Sequence, residues 1–141
     1  MKNSQTTIAI QLVIKHHDGQ MYGEFPYWHH LADVVDSVTR SIGEDDAIIA
    51  IAWNHDLNED TNCSYEEMTE AGLTQRVVDG VKCLTKVEGE SYDDYIKKVR
   101  SNPDALLVKK HDTLCNLTQS VKEGNSKRIK KYAKQLLLLE E

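Results

Sequence analysis

The stretch from Ala47 to Leu57, AIIAIAWNHDL, constrains this chain more than any other. It reads as a helix that is apolar nearly all round, and such a helix belongs in the centre of a domain. Glu44, Asp45 and Asp46 open it with carboxylates at the positive end of its dipole. Polar groups are costly to bury without partners. The abrupt His55-Asp56 pair at the far end of this helix is therefore conspicuous.

Helical periodicity governs the rest of the chain. Ile8 and Leu12, with Gln11 beside them, mark a first helix that Asp18-Gly19 stops after His16 and His17. A loop from Gly19 to Pro26 follows. A second helix runs from His29 to about Ile42, with Leu31, Val34, Val35 and Val38 on its buried stripe and Gly43 just past its end. Ser64-x-x-Glu67 matches a capping box, and Ser91-x-x-Asp94 approximates one. Between them, Gln75 to about Lys86 is amphipathic through Val77, Val78, Val81 and Leu84. Pro103 launches a further helix from its first turn. After the break at Gly124-Asn125-Ser126, Ile129, Tyr132, Ala133, Leu136 and Leu137 stripe the last one. The expectation is an all-α fold, a single domain spanning 1–141 and built of about seven helices.

Composition narrows the function classes. The 141 residues hold seven Gly and two Pro, too few turn formers for a hairpin-rich β fold. The net charge of −6 suits neither duplex nucleic acid nor an anionic membrane face. No apolar run reaches the ~20 residues that span a bilayer. The opening MKNSQTT lacks the layout of a signal peptide, and Cys63, Cys83 and Cys115 stand apart with no C-x-x-C. Free thiols of this kind fit a reducing compartment, so the expected location is the cytoplasm.

The chemistry gathers around residues 55 to 60, HDLNED. His55 and Asp56 are adjacent nitrogen and oxygen donors of the kind that suits first-row divalent metals. On a continuous helix, Glu59 would lie above His55 and Asp60 above Asp56, placing two acids where they could activate water. Two further donors are needed. His30 follows Pro26-Tyr27-Trp28-His29, and spacing from Pro26-Tyr27 favours it over His29. Asp112 interrupts an apolar stretch in VKKHDTLCNL, and Asn116 lies one turn beyond it.

In this order on helices, H…HD…D resembles the motif of the HD phosphohydrolase superfamily. More specifically, HDGQ (17–20), PYWHH (26–30), HDLNEDT (55–61) and VKKHDTLCNL (108–117) look like the hydrolase domain of RelA/SpoT-type alarmone enzymes. LTKVEGESYDDY (84–95) is similar to the spacer in small relatives of that group, so the resemblance runs from about residue 8 to 117. It implies an HD-type helical bundle. It also implies metal ligation by His30, His55, Asp56 and Asp112, with manganese first and iron, zinc or magnesium as alternatives. Glu59 and Asp60 match the catalytic acids, and Asn116 the residue that contacts the substrate ribose. The implied reaction removes the 3′-pyrophosphate from guanosine tetra- or pentaphosphate. With no second domain expected in 141 residues, synthesis of that nucleotide is not expected.

The chain departs from the family in its loop, which reads Met21-Tyr22-Gly23-Glu24-Phe25 and holds no basic residue. Tyr22 could stack on a base there. Lys109, Lys110, Lys82 and Lys86 could meet phosphates, with Lys109 taken as the substrate-binding one. The departure keeps open another nucleotide or phosphoester as substrate. A different class, a metal- or nucleotide-sensing domain without catalysis, is disfavoured by the complete HDxxED. The lysine-rich run 127–134 reads as the wet face of the last helix, and Leu136 to Leu139 as core or an oligomer seam. His16 reads as exposed, His17 as either supporting the cleft or lying on the surface, and His111 as incidental.

Overall fold

Local signals in the sequence become helix ends in three dimensions. In this computed structural model, which describes residues 4–140, Ser4 caps α1 (Gln5–His16), its side chain accepting from the Thr7 amide. The leader reading of the first three residues lies outside the described residues. Tyr27 precedes α2 (Trp28–Ile42), and Gly43, at φ 79°, ends it by donating its amide to the Thr39 carbonyl. Gly43 there needs the left-handed backbone that a side chain would strain. Asp45 caps α3 (Asp46–Asn54). After the single turn α4 (Leu57–Asp60), the side chain of Ser64 caps α5 (Tyr65–Glu70). Then come α6 (Gln75–Leu84), α7 (Tyr92–Arg100) capped by Ser91, and α8 (Pro103–Lys122) capped by Asn102 with Pro103 in its first turn. The last helix is α9 (Ser126–Glu140).

The fold is all-α, as expected. Nine helical segments lie among the described residues. The surplus over about seven comes chiefly from α4, which the sequence pattern joins to α3. The loop after α1 also carries a small hairpin, β1 (Met21–Tyr22) paired antiparallel with β2 (Phe25–Pro26).

The apolar helix is central, as its composition requires. α3 packs against α1, α2, α6 and α8, and Ala50, Ile51 and Ala52 have no solvent exposure. Side chains from the α1, α2, α6, α7 and α8 stripes close the core around it, among them Leu12, Val34, Val38, Val77, Val81, Val99 and Val108. α8 and α9 lie against each other. Leu139 is buried in the core while Leu137 is exposed, so the leucine cluster is divided between core and surface. No helix among the described residues is long and apolar enough to cross a membrane.

Candidate metal centre

The site forms where three helices of the core meet. α2 supplies His30, the end of α3 supplies His55, and α8 supplies Asp112, all of them buried. One donor atom from each lies within 4.8 Å of the others. His30 Nε2 is 2.9 Å from Asp112 Oδ1, and His55 Nε2 is 3.4 Å from the same oxygen. Asp56 stands beside this set, its Oδ2 3.1 Å from His55 Nε2 and also accepting from the Tyr27 hydroxyl.

The orientation of His55 shows that the donor set fits a cation. Its Nδ1 is 2.7 Å from the Ala52 carbonyl, which can only accept, so Nδ1 carries the hydrogen. Nε2 then faces the cluster, fully buried and without an aligned hydrogen-bond partner. A backbone carbonyl on one ring nitrogen with the other turned into a carboxylate cluster is how metal-binding histidines are commonly held. Two imidazole nitrogens and two carboxylates form a mixed set that admits several divalent metals.

Charge in the site is tightly balanced. Burial disfavours ionised Asp112, but the Lys109 ammonium and then His55 overcome this and hold it well below the usual carboxylate range. Lys109 Nζ is 3.2 Å from Asp112 Oδ2. For Asp56 burial again opposes ionisation, and His55 outweighs it, bringing Asp56 to about 2. Burial would lower the His55 pKa, yet Asp56 and Asp112 raise it well above its ordinary value. The same two carboxylates favour positive charge at Nε2, so a proton and a cation compete for one lone pair.

The helix does not run through HDLNED. α3 stops at Asn54, and Asp56 sits at φ −109°, ψ 3°, in the bridge region between helix and strand. The Asp60 amide still bonds to the Asp56 carbonyl at 3.0 Å, so Asp60 keeps its place one turn beyond Asp56, and the break parts only Glu59 from the expected stack above His55. Glu59 Oε1 instead accepts from the Lys86 amide at 2.9 Å, and Asp60 meets the Tyr27 hydroxyl at 3.4 Å. The acids line a polar hollow with Lys15, His16, Gln20 and Thr61, next to the cavity that holds the cluster. Burial, followed by nearby carboxylates, raises the pKa of each above its ordinary value.

Tyr27 links the two spaces, donating to Asp56 and reaching Asp60. Sequence reading used it only to index His30. Its signal was its place three residues before that histidine, which puts both on one edge of α2. His17 supports the same wall, buried and stacked on Tyr27 with ring centroids 5.0 Å apart. His29 takes no part in the cluster; its ring lies against Phe25 and Trp28. His111 bonds Ser37 across the α2–α8 contact at 2.6 Å.

The cluster cavity, about 250 Å³, is also lined by Tyr22, Lys109, Asn116, Lys131, Tyr132 and Gln135. Tyr22 stacks on His30 at 4.6 Å and donates to Asn116 Oδ1, while Asn116 Nδ2 donates to Asp112 Oδ1 at 3.1 Å. Lys131 corrects the reading of the lysine-rich run 127–134 as a wet face only, and Tyr132 of the apolar stripe lies beside it in the lining. α9 folds back along α8, and one edge of it reaches the cavity. A groove of about 480 Å³ between α2 and α8 adjoins this space, sharing Tyr22 and His30 with it.

No protein-family model and no curated protein matches the chain. Its fold does match a solved structure, a metazoan ortholog of SpoT that hydrolyzes ppGpp and plays a role in starvation responses. The TM-score is 0.79 over 99% of this chain and 87% of that one, at 21% sequence identity. The two chains share a fold.

Proposed function

We propose that this protein is a metal-dependent phosphohydrolase of the HD type acting on a guanosine 3′,5′-polyphosphate, from which it transfers the 3′-pyrophosphate group to water. The observation that carries this reading is the buried convergence of His30, His55 and Asp112, with the His55 Nε2 lone pair left unpartnered among them. The fold shared with a ppGpp hydrolase supports it.

His30, His55, Asp56 and Asp112 would hold the ion, with manganese the first choice from a donor set that also admits iron, zinc and magnesium. A divalent cation bound there supplies Lewis acidity toward a phosphate oxygen and toward water. The chain's own residues do the rest. Tyr27 fixes the Asp56 carboxylate, and Lys109 adds positive charge beside Asp112. Glu59 and Asp60 take the proton of the attacking water, and burial, by raising the pKa of each, makes them stronger bases for that task. Asn116 and Tyr22, already bonded to each other, form an edge against which a nucleoside is positioned.

A second reading keeps the site and changes the substrate to another nucleotide or phosphoester. The hairpin from Met21 to Pro26 motivates it, since no basic residue lies there to hold a second phosphate group.

The protein, stripped and reloaded with manganese, is incubated with guanosine tetraphosphate and the products are separated by anion exchange. GDP and pyrophosphate, absent with Asp56→Ala, are expected. No product from protein with its metal fully bound overturns the alarmone substrate and turns the test to a panel of nucleoside phosphates. Nucleotide binding without turnover of any of them would instead favour a sensor.

A further inference from the structure

A second set of metal-type donors lies apart from the cluster. His16 at the end of α1, Cys63 in the loop after α4 and Glu67 in α5 each bring one donor atom within 4.8 Å of the others. His16 is distant in sequence from the neighbouring pair Cys63 and Glu67, and no C-x-x-C spacing foretells the meeting. We propose that His16, Cys63 and Glu67 form a second cation site, selective for a soft divalent metal such as zinc, that ties α1 to the segment following Glu59 and Asp60.

The donors are those of a zinc site with one position left for water: an imidazole, a thiol and a carboxylate. A thiolate and a carboxylate neutralise a dication, so the bound state leaves no net charge at a half-buried place. Cys63 is almost wholly buried, and its thiol makes only a long contact of 3.6 Å to the Ser64 carbonyl. His16 Nε2 already points at Glu67 Oε2, 2.6 Å away. In the ion-free state that contact is closed by a proton, which a cation would displace. The thiol also releases its proton to the buffer as the ion binds.

Lys15 is the competing partner, 2.8 Å from the same carboxylate oxygen. It is 66% exposed and can turn to solvent without unburying anything. The polar hollow that runs from His16 to Glu59 and Asp60 gives an ion a path in. The softness of sulfur separates this site from the nitrogen-and-oxygen cluster, since thiolate prefers zinc or cobalt to manganese or magnesium.

Anchoring matters because the loop is short. Asn58, inside α4, donates to the Cys63 carbonyl at 2.9 Å, and Thr61 bonds back to Leu57. An ion on Cys63 therefore stiffens the turn that carries both acids.

Cobalt(II) titration of the full-length, metal-stripped protein tests the site directly. Thiolate-to-cobalt charge-transfer absorption is expected in the wild type and in Asp112→Ala, and is expected to be lost in both Cys63→Ser and Glu67→Gln. Zinc is expected to slow alkylation of Cys63, identified by mass spectrometry, by about tenfold or more. Lys15→Gln should bind cobalt more tightly than the wild type. Absence of the charge-transfer band in the wild type overturns the site, as does its persistence in Cys63→Ser, which would assign it to Cys83 or Cys115. Because Asp112→Ala removes the other cluster, failure here is distinguishable from failure of the phosphohydrolase reading.

Discussion

Gly80 is where the central helix is most sensitive to a single added carbon. It lies on α6 facing α3, and a Cβ built there would sit 2.5 Å from Ile51 Cδ1 and 3.0 Å from Cγ1. Ordinary carbon contacts are about 3.5–4.0 Å, so the overlap at Cδ1 is at least an ångström. Ile51 has no solvent exposure and lies four residues before His55, leaving no free space to receive the displaced methyl. Overpacking of this kind costs about 1–3 kcal/mol. Alanine returns up to about 1 kcal/mol through its helix propensity. Gly80→Ala is thus expected to destabilise the protein by a net of up to about 2 kcal/mol, lowering Tm by up to roughly 8 °C for a chain of this size. Ile51→Val removes the worst-placed atom and alone costs about 0.5–1.5 kcal/mol. In the double variant the added Cβ fills the space that Cδ1 leaves, so the two effects should couple by about 1 kcal/mol. Urea unfolding followed by circular dichroism measures the cycle. A Gly80→Ala protein at least as stable as the wild type refutes the packing argument. So do effects that simply add to within about 0.5 kcal/mol. Manganese binding provides a second readout, since a displaced α3 moves His55. Affinity should fall in Gly80→Ala and recover in the double variant.

Other predictions bear on the candidate site. Glu59→Gln combined with Asp60→Asn should abolish turnover while circular dichroism and metal binding stay unchanged, and near wild-type turnover would remove both acids from the mechanism. Because both pKa values are raised, the acids become bases only above the ordinary range, whose glutamate value is 4.5. The acid limb of the pH–rate profile should therefore lie above pH 4.5, activity rising with pH, and a limb below the ordinary range would contradict the roles assigned. Tyr27→Phe frees the Asp56 carboxylate and should weaken manganese binding by about 10–100-fold, read by calorimetry, as removal of an outer-shell partner does. Manganese at a hundredfold excess over its Kd should stabilise the wild type by about 2.7 kcal/mol, and a scan that shows the same shift in Asp112→Asn would move the ion elsewhere.

Much of the fold is local and could be read along the chain. Ser64, Ser91, Pro103 and Gly43 mark helix ends through features within a turn of themselves, so composition and order suffice to find them. The all-apolar face of α3 could be satisfied only at the centre, whatever surrounded it. His55, Asp56 and Asp112 stand out in the sequence because each interrupts an apolar stretch with a group that burial penalises unless it is paired or bound. His30 is singled out instead by its spacing from Pro26-Tyr27, and the four as one ligand set come from the family resemblance. What tertiary structure decided depends on contacts between distant segments. The helix breaks at His55 rather than carrying Glu59 above it, and the Tyr27 hydroxyl and the Lys86 amide then take Asp56 and Glu59. α9 folds back so that Lys131 and Tyr132 reach the cavity, although the lysine-rich run that holds Lys131 reads as a solvated face. His16, Cys63 and Glu67 meet only because α1 lies against the loop after α4. A one-dimensional pattern records which side of a helix is buried, whereas the neighbour it is buried against is set by how all the helices pack together.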